Sequence, residues 1–370
     1  MQIIDEKAEK FLGEYINTPS PTGFESRGLK LWPRPWPICG HRLHAVRNMP
    51  DGGVCGTAVA VINPDAPYKV AIEGHADEIS WFVNYISPEG LIYVVRNGGS
   101  DHIAAPSKVV NIHTEKNGIV RGVFGWPAIH TRLRAGIAKE ETPKVDKLFI
   151  DIGADDKAGV EKAGVQVGDV ITYPDEFFVL GGDKYVGRAL DNRMGGFIIA
   201  QVARLLRENG KELPFGLYLV NAVQEEVGMN GAKMISRTIC PDVAIVTDVT
   251  HDTSTPMIDV KAEGDIKCGL GPVVSRAPSV QNNLRALILE QARANGIPYQ
   301  LCAHSSTTGT DTDAFAFSGR GIASALISLP LRYMHTTVEM VSRKDVENTI
   351  RLIYHSVLSI PLGEDFRYLK

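Results

Sequence analysis

Val70-Ala71-Ile72-Glu73-Gly74-His75-Ala76-Asp77 reads as a buried strand that runs into a histidine and an aspartate two positions apart. In open α/β sheets, functional groups collect at the carboxyl ends of strands. If the chain is still extended there, His75 and Asp77 point to one side, because side-chain direction repeats every two residues. An Asp in that place can accept the second ring N–H of the His and fix its tautomer for metal binding. Taken alone, the pair also fits a surface His beside a turn.

Four more places repeat the pattern. Gln224-Glu225-Glu226-Val227-Gly228 follows the apolar run Gly216–Val223. Adjacent side chains diverge, so one carboxylate can face a metal while the other faces a water, the split that a ligand and a general base require. The plain alternative is a solvated turn. Asp191, in Ala189-Leu190-Asp191-Asn192-Arg193, stands just ahead of a helix and reads as a ligand or as an ordinary N-cap. Asp248 closes the buried strand Ala244-Ile245-Val246-Thr247-Asp248, and His335 follows the apolar strand that ends near Leu329. Together these places supply two His and three carboxylates, with one outer Asp and one spare Glu. That is the ligand inventory of a two-metal site with one bridging carboxylate.

The rest of the chain supplies the frame. Ile4, Ala8, Phe11, Leu12, Tyr15 and Ile16 fall on one face of an N-terminal helix, which stops at the breaker cluster Asn17–Gly23. Gly56–Asn63 and Tyr68–Gly74 read as strands. From Glu78 to about Pro174, short β-like runs alternate with Gly, Pro and Asn turns, the texture of a small barrel or sandwich. Beyond it, strands at Phe215–Val223, Val243–Asp248, Tyr299–Ala303 and Ile322–Leu329 alternate with helices. Their unbroken apolar character predicts burial on both faces. The last helix opens at Ser342-Arg343-Lys344-Asp345, close to a capping box, and a helix near Leu284 ends at Gly296. The expected fold is therefore α/β: a discontinuous catalytic domain (1–77 and 175–370) with helices on both faces of a mixed sheet, and a β-rich insertion (78–174).

With 370 residues, 44% hydrophobic, 22% charged and a net charge of −4, the composition is that of a globular chain. Near-neutrality gives no general attraction to nucleic acid or an anionic membrane. No apolar run approaches a bilayer span, and the acidic N-terminus predicts no secretory leader. Five Cys without paired spacing fit reduced thiols, so a cytoplasmic protein is expected.

The ordered set His75-Ala76-Asp77, Ala189-Leu190-Asp191-Asn192-Arg193, Gln224-Glu225-Glu226-Val227-Gly228, Asp248-Val249-Thr250-His251 and Arg332-Tyr333-Met334-His335-Thr336 resembles the M42 metallo-aminopeptidases. These include glutamyl and deblocking aminopeptidases of the tetrahedral type. The likeness runs from about Gly56 to the C-terminus. It implies that Asp191 bridges two divalent metals, zinc or cobalt. His75 and Asp248 would complete one site, and Glu226 and His335 the other. It also implies that Glu225 is the general base, that Asp77 orients His75, and that peptides are the substrate. A PDZ-like or barrel-like insertion would drive homo-oligomerisation, often to twelve subunits. Thr308-Gly309-Thr310-Asp311-Thr312-Asp313 resembles the family's substrate-side Gly-Gly-Thr-Asp loop, which points to Thr310 and Asp311, although Thr308 replaces the first Gly.

Residues from about Leu31 to Cys55 depart from the family. Pro33, Pro35, Pro37 and Pro50 break every helix reading, and Trp32, Trp36, Cys39 and Cys55 crowd in beside them. A reading frame lost near Trp32 and recovered near Gly53 would give such a stretch. The peptide should then be poorly ordered or looped out, weakening a sheet edge. Cys39, His41, His44 and Cys55 are too irregularly spaced for a familiar zinc knot. Among rival functions, an N-acyl amino acid deacylase shares the two-metal chemistry. A carboxylate-pair glycosidase leaves His75 and His335 unexplained, and an inactive assembly module fits poorly with an intact Glu225.

Overall fold

The computed structural model describes residues 3–32, 45–46, 56–134 and 142–369, with 45–46 and 133–134 described through their backbone only. Two compact units emerge. One comprises Met1–Glu78, Glu176–Met334 and Val338–Lys370; the other comprises Ile79–Asp175 together with His335–Thr337.

The first unit is built on an eight-stranded mixed sheet. Its strands are β1 (Ala45–Val46), β2 (Ala58–Ile62), β3 (Lys69–His75), β12 (Gly216–Ala222), β13 (Val243–His251), β14 (Val273–Arg276), β15 (Gln300–Ala303) and β16 (Ala323–Leu331). The order across the sheet is β1-β2-β12-β3-β13-β16-β14-β15. The four central strands are parallel, while β2 and β14 run antiparallel to their neighbours β12 and β16. Parallel strands covered on both faces need apolar residues at every position. β12 accordingly is buried throughout, as the unbroken run in its sequence predicts.

Alternate residues feed two cores. Val70 and Ile72 join the larger one, with the helices Glu6–Asn17, Leu190–Glu208, Asn282–Ala294 and Arg343–Ser359. Ala71 and Val246 join the smaller one, under Asn230–Ile239 and Asp311–Ala316. Gly74 lets the long helix approach the sheet: a Cβ there would lie 2.7 Å from the Gly195 carbonyl carbon. A separate three-stranded sheet joins β10 (Phe178–Leu180), β11 (Lys184–Gly187) and β17 (Glu339–Ser342). This sheet and β14 are absent from the sequence-based expectation.

The capping box expected at Ser342 does not form. Ser342 is the N-cap residue but makes no side-chain cap bond. Asp345 instead accepts the backbone N–H of Gly269 (2.5 Å) and Gly271 (2.8 Å), so tertiary packing takes the carboxylate that the local motif would use.

The second unit is a closed barrel. Its strands are β4 (Ser80–Ile86), β5 (Ile92–Asn97), β6 (Val109–Thr114), β7 (Gly118–Phe124), β8 (Phe149–Asp151) and β9 (Val170–Thr172), closing in the order β4-β5-β8-β7-β6-β9. Closure removes free edges, which suits a sheet of short strands. Trp81 fills the interior edge-on to Phe124, and its indole N–H donates to the Tyr173 hydroxyl at 3.0 Å.

Most of the irregular stretch 31–55, including Cys39, His41, His44 and Cys55, lies outside the described residues. Two parts of it contradict the looped-out expectation. The Trp32 ring is buried, and its N–H donates to Gly196 O at 2.7 Å. Ala45–Val46 pairs antiparallel with β2, adding a short edge strand. An indole and a short extended dipeptide can use backbone partners that the surrounding fold already offers, whatever flanks them.

Candidate active site

β3 ends on His75, and parallel register sets what lies beside it. Ala222, the last residue of β12, pairs with His75, and Val246 of β13 pairs with Glu73. Continuing the second register two residues brings Asp248 level with His75. Asp248 does not close its strand as the sequence suggests. β13 runs three residues further, to His251, pairing there with β16 alone. The sheet steps at this point, and the step leaves a recess at the carboxyl end of β3.

Asp191 enters the same recess from the head of the long helix. It is not the N-cap: Asp191 and Asn192 both have non-helical angles, and it is Asn192 whose side-chain oxygen accepts the Gly195 N–H at 3.0 Å. The Asp191–Asn192 peptide is cis. The Asp191 backbone N–H donates to Glu339 Oε2 at 3.1 Å, and the Asn192 side-chain amide donates to Thr247 O at 2.7 Å, so both ends of this turn are tied down.

The turn after β12 carries the two glutamates. Gln224 adopts a left-handed φ of 58°, which redirects the chain just before Glu225. Asp77 then holds the turn. Its Oδ1 accepts the Glu225 N–H at 3.0 Å, and its Oδ2 accepts the Glu226 N–H at 3.3 Å. The same carboxylate lies 3.3 Å from His75 Nδ1 and accepts the Thr22 hydroxyl at 2.9 Å.

Around His75 the acceptors converge. Its Nε2 lies 3.2 Å from Asp191 Oδ1, 3.9 Å from Asp248 Oδ1 and 3.9 Å from Glu225 Oε2. One ligand atom each from His75, Asp191 and Glu226 falls within 4.8 Å of the other two, so the three can hold one cation. His335 is a member of the barrel unit, where its Nδ1 donates to Gly99 O at 3.1 Å. Thr310 caps the short helix Asp311–Ala316 through the Thr312 N–H, and Asp311 is buried against Glu73.

The electrostatics are those of a cation site. Burial pushes Glu225 up to about 10, with Asp248, Asp311 and Glu226 adding repulsion against the opposing pull of His75. Burial likewise pushes Asp248 up to about 8, reinforced by Asp191. Burial alone would lower His75, but Asp191 and Asp77 outweigh it and hold it well above its usual value. A divalent cation among these oxygens replaces mutual repulsion with attraction, so the donor set fits one.

Sequence reasoning missed several contributors. Glu73 is wholly buried two residues before His75, and burial with the Asp311 charge raises its carboxyl well above the usual range. A lone charge directly after the apolar run Val70–Ile72 is its available signal. Glu25, pushed up to about 7 by burial and the Asp77 charge, and Thr22 sit in the turn before the second helix. Nothing local in the sequence ties them to residues more than fifty positions away.

Fold and site together define a metallopeptidase-type α/β enzyme with an inserted barrel. A family model described as M42 glutamyl aminopeptidase matches residues 56–352. The lysyl aminopeptidase of Pyrococcus furiosus is 30% identical over 345 residues, covering 93% of this chain and 94% of that protein. The TET aminopeptidase from Thaumarchaeota archaeon SCGC AB-539-E09 superposes with a TM-score of 0.87 at 26% identity, over 96% of this chain and 97% of that one. The Pyrococcus horikoshii TET1 peptidase, which assembles into a tetrahedron or a large octahedral shell, superposes with a TM-score of 0.81 at 25% identity, over 95% and 100%. The chain belongs to the M42 peptidase family and is a metal-dependent aminopeptidase.

Proposed function

We propose that this enzyme removes N-terminal residues from peptides at a two-cation centre, with Glu225 as general base. The cations, zinc or cobalt, would be held by Asp191 as the shared ligand, by His75 and Asp248 on one side, and by Glu226 and His335 on the other. When bound, they supply Lewis-acid polarisation of the scissile carbonyl and make the attacking water more acidic. Glu225 takes the proton of that water and passes it to the departing amine. Its carboxyl, high without a cation, falls toward a base's working range as positive charge arrives. Asp77 acts at one remove: it orients His75 and fixes the turn that aims Glu225. Thr310 and Asp311 shape the substrate-side turn, with Asp311 backing it from below.

The observation that supports a cation here is the cluster of His75, Asp191 and Glu226 with Glu225 beside it, and the second cation rests on the family likeness. Glu225→Gln is expected to keep the metal content and to lower kcat on aminoacyl p-nitroanilides about 10²–10⁴-fold. Chelation by EDTA is expected to abolish release, with recovery on added zinc or cobalt. Activity unchanged by chelation defeats the metal reading. Metal loss with full activity in the variant defeats the role of Glu225.

The barrel unit is proposed as the assembly element of a homo-oligomer, on the strength of the shells formed by the Pyrococcus horikoshii relative. A cytoplasmic setting is proposed from the cysteine usage. Cys240, Cys268 and Cys302 are free thiols, and no helix among the described residues is long and apolar enough to cross a membrane.

A further inference from the structure

We propose that Gly99 is a positioning residue for His335, serving through its carbonyl and through its lack of a side chain. The inference rests on the reading above that His335 is a metal ligand. Three observations carry it. Gly99 O lies 3.1 Å from His335 Nδ1, so the ring hydrogen sits on Nδ1 and the lone pair on Nε2. A Cβ built on Gly99 would lie 2.5 Å from His335 Nδ1 and 2.6 Å from Cε1, well inside van der Waals contact with both. His335 itself holds a left-handed φ of 63°, a backbone conformation uncommon for a side chain of this size, so its segment is a specifically shaped one.

The brace is itself fixed. The Asn97 amide donates to Ser80 Oγ at 2.8 Å, and the Ser100 hydroxyl donates to Ser80 O at 2.7 Å, which pins both ends of Asn97-Gly98-Gly99-Ser100 to β4. Lys108 Nζ donates to Thr337 Oγ1 at 2.6 Å and ties the far end of the His335 segment to the same barrel. The glycine therefore cannot slide away to admit a methyl group; the ring must turn instead. Gly99 does not occupy the left-handed region, so an alanine there is strained by the ring and not by its own backbone. Gly99 is thus a requirement of the ligand, which lies 236 residues away in sequence. The Gly99 carbonyl holds the tautomer and direction of one proposed ligand, as outer partners of ligating histidines do.

The test uses the full-length protein, stripped of metal and titrated with Co2+ by calorimetry, with thermal melting in parallel. His335→Ala is expected to abolish the weaker of two binding steps. Gly99→Ala is expected to weaken that same step about 10–100-fold and leave the tighter one unchanged. In the double variant the methyl has no ring to strike. It should therefore match His335→Ala in Tm and in Co2+ affinity. If His335→Ala retains both steps, the ligand reading falls and the inference with it. If His335→Ala loses a step while Gly99→Ala keeps both, the ligand reading stands and the inference is overturned. A double variant less stable than His335→Ala also overturns it, since the loop itself would then be reacting to the methyl.

Discussion

Asp77 is the acceptor from which the catalytic turn hangs, and truncating it puts numbers on that role. Asp77→Ala strands two backbone N–H groups, those of Glu225 (3.0 Å) and Glu226 (3.3 Å). The Thr22 hydroxyl is not stranded, because Glu78 O lies 3.1 Å from it. A donor left without an acceptor costs about 1–3 kcal/mol when fully buried, and these two sit on part-buried residues, so the alanine variant is expected to lose about 2 kcal/mol of metal-free stability, the lower end for two donors. Asp77→Asn keeps one acceptor oxygen and turns an amide N–H₂ toward the other donor, so a loss of about 1 kcal/mol is expected. His75 loses its carboxylate partner in both variants, which should weaken cation binding about 10–100-fold in each. Denaturant titration of stripped protein reads the first effect as a fall in midpoint at constant slope; Co2+ titration reads the second. The expected pattern is Ala worse than Asn in stability and the two alike in affinity. Equal stability in wild type and both variants refutes the hydrogen-bonding role. Normal Co2+ affinity beside reduced stability refutes the orientation of His75.

The raised carboxyls set the pH behaviour of the metal-free enzyme. With Asp248 near 8 when folded and near 3.8 when unfolded, the folded state binds the extra proton between those values, so stability falls as pH rises across that window. His75, held above its usual value, adds the same sign, because its contribution is lost as pH rises through its folded value. Melting of stripped protein at pH 5, 6.5 and 8 should show a falling Tm and a shallower slope in Asp248→Asn; a Tm that climbs with pH contradicts the reasoning. Co2+ affinity should rise over the same range, because binding must displace those protons, and a flat titration would count against it. Gly74→Ala forces a methyl against the backbone of Gly195, whose Cα would lie 2.8 Å away, and should destabilise by about 3 kcal/mol, the upper end for overpacking. A denaturation midpoint within error of wild type would mean that the helix can retreat from the sheet.

What the sequence disclosed follows from which interactions are local. Apolar runs such as Gly216–Val223 announce strands buried on both faces, and the polar residues ending them announce the site. The α/β architecture and the barrel are legible for that reason. Local signals failed where a distant partner decided the outcome. Ser342 and Asp345 spell a cap, yet Asp345 is taken by the turn at Gly269 and Gly271. Asp191 reads as an N-cap, yet its neighbour Asn192 makes the cap bond to the Gly195 N–H, while the Asp191 backbone is tied to the distant Glu339. β13 reads in sequence as stopping at Asp248, yet β16 carries it on to His251, because pairing with a neighbour and not the side-chain pattern sets the end of a strand. The short strands β10, β11 and β17 carry no apolar alternation long enough to register; β10 is exposed throughout.

Where the fold places its arginines explains why the site demands cations from outside. Arg188 and Arg193 flank Asp191 in sequence, and either would neutralise the recess if it turned inward. Arg188 instead pairs with the buried Glu78. Arg193 lies 4.1 Å over the Tyr15 ring and donates to Thr18 O. Glu78 also accepts the Ser20 N–H at 2.6 Å, so these positive charges are committed to fastening the N-terminal turn that carries Thr22 and Glu25. Glu225 and Asp248 are left with His75 as the positive charge both of them feel, and their raised proton affinities follow. An arginine in the recess would stabilise the metal-free protein and occupy the coordination space. The family's chemistry instead needs carboxylates that repel one another until a cation arrives. The sequence meets that need by spending Arg188 and Arg193 on scaffolding one layer away.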